Sequence, residues 1–148
     1  MKIALDVRSE RYQEIADQLR AHGIIVSDDA ELYLSERNQY ADYLRVRLDG
    51  EVCHLPVTEI IAIESFGHEV QVRTADTLYR TTDRLWQLEK SLDPAQFIRV
   101  SNSAIVARSG IRHIRAALSS RFTLTMADGT RVDVTRSYSG IFRDTFKL

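Results

Sequence analysis

The chain is poor in the residues that staple, kink or cradle. Of its 148 residues, one is cysteine, two are proline, one is tryptophan and six are glycine. A lone Cys53 excludes an intramolecular disulfide framework and suits a reducing cytoplasm. Cys53 and His54 are neighbours in a strand-like stretch, where adjacent side chains point to opposite faces, and no Cys or His follows at zinc-ligand spacing. No apolar run approaches the roughly 18 residues that span a bilayer. Asp6 interrupts the opening apolar residues, against a signal peptide. There is no low-complexity tract, internal repeat, phosphate-cradling glycine loop or nucleophile elbow. The paired carboxylates Asp28-Asp29 stand in a polar stretch with no apolar pocket to shift a pKa. These absences argue against an enzyme, a metal site or a bound cofactor, and for a cytoplasmic protein.

Charge of one sign is scarce only locally. The formal net charge is −1, yet residues 1–40 carry five Lys/Arg against eight Asp/Glu, and residues 41–96 carry six against ten. Residues 97–148 reverse this, with nine against three. Phosphate neutralisation needs a basic face rather than a basic average. Seventeen of the twenty basic residues are arginine, whose planar fork suits bidentate contacts to phosphate or guanine.

The hydrophobic period divides the chain. Ile3, Leu5 and Val7 alternate like a strand. Ser9 is a plausible N-cap for a helix with Tyr12, Ile15, Ala16 and Leu19 on one face, stopped by Gly23. Ile24-Ile25-Val26 reads as a second strand. A β-α-β unit of this size, over residues 1–40, should dock on the main domain or on a second copy of itself.

From residue 41 the period becomes two. Leu44, Val46 and Leu48 lead to an Asp49-Gly50 hairpin signal, with a return strand from Val52 to Pro56. Ile60-Ile61-Ala62-Ile63 reads as a segment buried on both faces, Glu64 to His68 as a turn or loop, and Val70 and Val72 as the next strand. Leu78 and Tyr79 extend the β-rich region. The pattern predicts a helix over 82–92, with Leu85, Leu88, Leu92 and Trp86 in the core and Pro94 beyond its end. Ile111 and Ile114 mark a strand. Phe122, Leu124 and Met126 run into a second hairpin signal at Asp128-Gly129, and Val132 and Val134 return. Tyr138, Ile141, Phe142 and Thr145 have the spacing of a short closing helix.

Four pieces then stand in a specific order: His54-Leu55-Pro56-Val57-Thr58-Glu59-Ile60-Ile61-Ala62-Ile63-Glu64-Ser65; the helix bearing Leu85, Leu88 and Leu92; Phe97-Ile98-Arg99-Val100-Ser101-Asn102-Ser103-Ala104-Ile105-Val106; and Val134-Thr135-Arg136. Over 41–148 this resembles the LytTR family of DNA-binding domains of bacterial transcription regulators. The resemblance implies a mainly β, elongated fold of about ten strands in short antiparallel sheets with one or two short helices. It also implies sequence-specific regulation of transcription by loops inserted into successive major grooves of double-stranded DNA at paired promoter sites. Carried over by position, the contacting loops lie around His68, around Ser101 and Asn102, and at Arg136, with Arg99 and Ser103 beside them. The position of Ser101 is often histidine in the family and that of Ala107 often asparagine, which leaves the preferred DNA sequence open.

Side-chain chemistry agrees with that carry-over. Asn102 can pair bidentately with adenine and Arg136 with guanine, each good pair being worth about 1–3 kcal/mol of discrimination. Plainer readings stand beside these. Arg99 fits a solvated strand position as well as a phosphate contact. Asn102 in a Ser-Asn-Ser run can be a turn former, and His68 beside Gly67 an exposed turn residue. Arg108, Arg112, His113 and Arg115 read as a solvated face brushing phosphates. Residues 1–40 are too short for a phosphoacceptor receiver, so the expectation is a stand-alone regulator, homodimeric on DNA. By family-level inference it is held in check by a partner protein in the membrane, without inserting there itself. The rival reading is a protein-protein interaction module using the β-α-β segment and an arginine-rich face, without DNA binding.

Overall fold

The structure, a computed structural model, describes residues 1–36 and 40–148. The chain divides into two compact units, Met1–Gln39 and Tyr40–Leu148; the expected junction at residue 40 abuts residues 37–39, which lie outside the described residues.

In the first unit β1 (Lys2–Asp6), α1 (Ser9–Ala21) and β2 (Ile25–Val26) form the expected β-α-β. Tyr12, Ile15, Ala16 and Leu19 are the shielded positions of α1, and Gly23 ends the helix region with φ +79°, a conformation glycine adopts without a steric penalty. The N-cap is Arg8 rather than Ser9, which begins the helix, and no side chain caps it. The residues after β2 hold a further strand, β3 (Leu32–Ser35). It pairs parallel to β1 (Ile3 with Leu32, Leu5 with Leu34), so β1 is central between two parallel neighbours. Alternation could not announce β3, because all four of its residues are exposed. Glu36 accepts from Arg8 Nε at 3.0 Å and Arg11 Nη1 at 3.1 Å, tying the end of β3 to α1.

The second unit is mainly β, with ten strands and two helices among its described residues. Seven strands form one antiparallel sheet: β4 (Tyr43–Leu48), β5 (Glu51–Pro56), β6 (Ala62–Phe66), β7 (Glu69–Arg73), β8 (Leu78–Thr81), β9 (Phe97–Ser101) and β10 (Ala104–Ala107), in the order β5-β4-β8-β7-β6-β10-β9. A second antiparallel sheet holds β11 (Ile111–Ala117), β12 (Arg121–Met126) and β13 (Arg131–Val134). Helices α2 (Leu85–Ser91) and α3 (Arg136–Phe146) complete the unit.

The continuous apolar runs are explained by two cores. Along β10, Ile105 and Ala107 belong to the cluster with Leu85, Leu88 and Leu92, whereas Ala104 and Val106 belong to the cluster with Leu124, Val134 and Phe142. Ile60 and Ile63 likewise join the first, Ile61 and Ala62 the second. A strand sandwiched between two cores has no solvent face, so period two is written in which core a side chain enters rather than in polarity.

Three local expectations need correction. The mid-domain helix spans Leu85–Ser91 rather than 82–92, because Asp83 N–H donates to Thr81 Oγ1 and the Gln87 side chain accepts from Arg84 N–H at 2.9 Å, fixing the first turn there. Trp86 is exposed, not core; one residue past Leu85 it stands about 100° around the helix from the buried stripe, where Lys90 Nζ lies 5.4 Å from its ring. Glu64 to Phe66 continue β6, so the turn is confined to Gly67-His68. The hairpin expected at Asp128-Gly129 is present and closes through a three-residue loop, since Met126 N–H donates to Thr130 O at 2.8 Å and Gly129 takes φ +84°. Asp49-Gly50, by contrast, is a two-residue turn with both φ positive, as its sequence predicts.

Candidate nucleic-acid interface

Antiparallel pairing decides which loops share an end. In β6 and β10 Ala104 faces Glu64, so the β9–β10 tip (Asn102, Ser103) lies beside the β6–β7 tip (Gly67, His68). Ser65 N–H donates to Ser103 O at 2.8 Å and joins the two hairpins. In the smaller sheet Val134 faces Phe122 at the end where β13 passes through Thr135 into α3. Thr135 N–H donates to Val100 O at 3.0 Å, and Tyr138 O–H donates to Asn102 Oδ1 at 3.1 Å. His68, Asn102, Ser103 and Arg136 therefore gather at one end of this unit, and all four are exposed.

The sequence-predicted residues are of two kinds. His68, Asn102 and Arg136 present free polar groups: among the described residues no ion pair engages Arg136, and the Asn102 amide nitrogen makes no hydrogen bond. Arg136 occupies the first position of α3, after the Thr135 N-cap, where unsatisfied backbone N–H groups favour a nearby anion. Ser101 and Arg99 instead face inward. Ser101 is buried and its Oγ accepts from Ser103 N–H at 3.1 Å, closing the tip as a hydroxyl turn.

Arg99 shares a face of β9 with Phe97, the face covered by α2. Its Nε donates to Ser101 O at 2.7 Å, Nη2 to Asn102 O at 2.7 Å and Nη1 to Glu89 Oε2 of α2 at 2.6 Å. The guanidinium is thus committed to the Ser101 and Asn102 carbonyls, where β9 turns into the tip, and to an acid on the helix behind it. Its sequence context carried no sign of this, because Glu89 lies ten residues upstream on another element. Tyr138 was missed as a site residue for the same reason. The helical period placed it on α3 without showing what its hydroxyl meets.

The electrostatics are uneven. Of the nine Lys/Arg in 97–148, only Arg99 forms an ion pair among the described residues, while Arg8, Arg11, Arg73 and Arg80 upstream all do. Arg73 joins the two sheets of the unit through Glu64 and, at 3.2 Å, Asp128. Burial pushes the Asp128 carboxyl up, but hydrogen bonds from Thr130 and the charge of Arg73 outweigh it, leaving the pKa below the usual carboxylate value. Among the described residues no cluster of His, Cys, Asp or Glu could hold a metal ion, and no helix is long and apolar enough to cross a membrane.

The second unit is thus a two-sheet β domain whose loops and C-terminal helix gather exposed polar groups at one end. Comparison with known proteins makes this specific. The family model for the LytTr DNA-binding domain matches residues 50–147, and the chain belongs to that family. The sensory transduction protein LytT of Bacillus subtilis (strain 168) is 30% identical over 140 residues, covering 92% of this chain and 57% of the relative. The transcriptional regulatory protein LytR of Staphylococcus aureus (strain MW2) is 24% identical over 140 residues, covering 94% and 57%. The chain thus spans just over half the length of these curated relatives. Among solved structures, a LytTr DNA-binding domain from Bacillus cereus superposes with a TM-score of 0.70 at 24% identity, over 73% of this chain and 99% of that one, a likeness of fold.

Proposed function

We propose that this protein is a sequence-specific DNA-binding transcriptional regulator that reads successive major grooves of double-stranded DNA with the loops at one end of its β unit. The observation that carries the reading is the gathering of His68, Asn102, Ser103 and Arg136 at that end, with Arg136 in no ion pair among the described residues. Asn102 and Arg136 are the base readers, supported by their exposure and by the adenine and guanine chemistry of their side chains. His68 and Ser103 complete the contact. Arg99 and Ser101 set the tip: their hydrogen bonds to it support a positioning role and leave little for phosphate.

The test is fluorescence anisotropy on duplexes drawn from a bacterial promoter library across a salt series. Affinity should fall steeply with salt, and Arg136→Ala should relax preference at one base position with little change in slope. Absence of binding to every duplex at low salt would overturn the reading.

The first unit supports a further element, homodimerisation. In β3, Leu32, Tyr33 and Leu34 are all exposed on an edge strand of a parallel sheet, an edge that invites pairing with another chain. Two linked DNA-reading units would fit paired promoter sites. Sedimentation should give a dimer for the full chain and a monomer for a chain beginning at Tyr40; equal assembly states would leave the segment as a cap, or as the surface for a regulatory partner protein such as one held in the membrane.

A further inference from the structure

The smaller sheet turns one face into the second core and leaves the other open. Pairing places His113 opposite Thr125 and Arg131, Arg115 opposite Thr123 and Asp133, and Ala117 opposite Arg121. Directly opposed residues share a face, so His113, Arg115, Arg121 and Arg131 project together from the outward side, whereas Ile114, Phe122, Leu124, Val132 and Val134 alternate with them inward. All four outward groups are exposed. Among the described residues none of the three arginines has an ion-pair partner. The only acid in these rows, Asp133, has Oδ1 engaged by Thr123 Oγ1 at 3.3 Å. Like charges gathered on one face repel and lower the stability of a sheet, and a face serving only solubility would intersperse both signs.

We infer that this outward face is a second phosphate-binding surface, which lies along the DNA backbone flanking the groove entered by Arg136. It rests on the DNA-binding reading above. Two features favour DNA over another partner. The face is continuous with the proposed reading end, because Arg121 lies just beyond the Phe122–Val134 pair from which the chain enters Thr135 and Arg136. The row of Arg131 and the row of Arg121 are four residues apart along the strands, about 13 Å, which matches about four steps of a duplex at 3.4 Å per nucleotide along one strand. Arg115 stands in the row midway between them, on β11 where Arg121 is on β12 and Arg131 on β13. The three guanidinium groups therefore spread about 10 Å across the sheet and offer several phosphate contacts over one face rather than a single line. Partly buried Thr125, paired with both His113 and Arg131, adds a hydroxyl donor to that row. Contacts of this kind position a protein on DNA without specifying sequence.

The test compares the full chain with the combined variant Arg115→Gln, Arg121→Gln, Arg131→Gln by anisotropy on the best-bound duplex from 50 to 200 mM salt. Three lost phosphate contacts should reduce the salt slope by about 2–3. Affinity should accordingly lose about 40-fold less over that range, with relative affinities for base-substituted duplexes unchanged. The combined Arg→Lys variant should keep the parent's slope, because it keeps the charge. Circular dichroism melting reports folding, and if the triple Gln variant melts early, Arg131→Gln alone should reduce the slope by about 0.9. A parent that binds while the folded Gln variants keep its slope overturns the surface and leaves the DNA-binding reading standing, the result expected if the face serves an acidic protein. A parent that binds no duplex overturns both.

Discussion

Replacing Arg99 separates two physical roles that sequence alone leaves tied. Arg99→Met keeps much of the apolar stem that packs beside α2 but removes the guanidinium. Three acceptors then lose a cationic donor: Ser101 O and Asn102 O at 2.7 Å each and Glu89 Oε2 at 2.6 Å. The Glu89 side chain is half exposed and recovers water, as does the carbonyl of exposed Asn102. Ser101 is buried, so its carbonyl loses most. With hydrogen bonds to charged groups contributing about 1.5–3 kcal/mol each and buried unmet groups costing about 1–3, the net destabilisation is about 2–4 kcal/mol. In urea this moves the unfolding midpoint down by about 1–2 M. Arg99→Lys should recover only part, since one ammonium cannot hold three acceptors arranged for a planar fork. At salt and urea-free conditions where the variant remains folded, discrimination among base-substituted duplexes should weaken while the salt slope holds. An unfolding midpoint within 0.3 M of the parent (roughly the resolution of such extrapolations), joined to a slope lower by about 0.9, would refute the brace and make Arg99 a phosphate ligand.

Other outcomes follow from the same geometry. Tyr138→Phe removes the hydroxyl donated to Asn102 Oδ1, so the amide is free to flip; adenine preference at one position should fall by about 1 kcal/mol, with unchanged salt slope, and an unaltered base profile would show that the amide is oriented otherwise. Phe142 is fully buried, its ring 5.4 Å from Phe122 and 4.6 Å from Phe146, so Phe142→Ala should cost about 3–5 kcal/mol by urea denaturation and loosen the helix that carries Arg136. Asp128 has a lowered pKa in the folded state, so its stabilising contribution is present at neutral pH and is lost as pH falls below about 4 through the folded value. Asp128→Asn should therefore flatten the acid limb of the stability profile, and an acid limb identical to the parent's would exclude Asp128 as a contributor.

Much of the fold is legible wherever a side chain's fate depends on its immediate neighbours. The alternation at Leu44, Val46 and Leu48, the Asp49-Gly50 turn, the stripe of Leu85, Leu88 and Leu92 and the spacing of the closing helix all follow from local periodicity. The misses have a common cause. β3 is exposed on every residue and owes its pairing to β1, 29 residues away in sequence, so no local pattern marks it. Trp86 was assigned to the core by its apolarity, but a two-turn helix with one buried stripe had no room for it.

By itself, the sequence determined a mainly β chain with two Asp-Gly turns, a basic C-terminal third and a LytTR-like order of segments, because period, turn chemistry and charge are properties of neighbouring residues. Only the tertiary structure decided that His68, Asn102 and Arg136 share one end, since strand order and register are set by contacts between distant segments. It also separated arginines that look alike in sequence. Arg99 is turned toward Glu89 and the tip carbonyls, whereas Arg115, Arg121, Arg131 and Arg136 are left without counter-ions among the described residues. A guanidinium's role is fixed by what stands within hydrogen-bonding distance of it, and that is settled when the sheets pack.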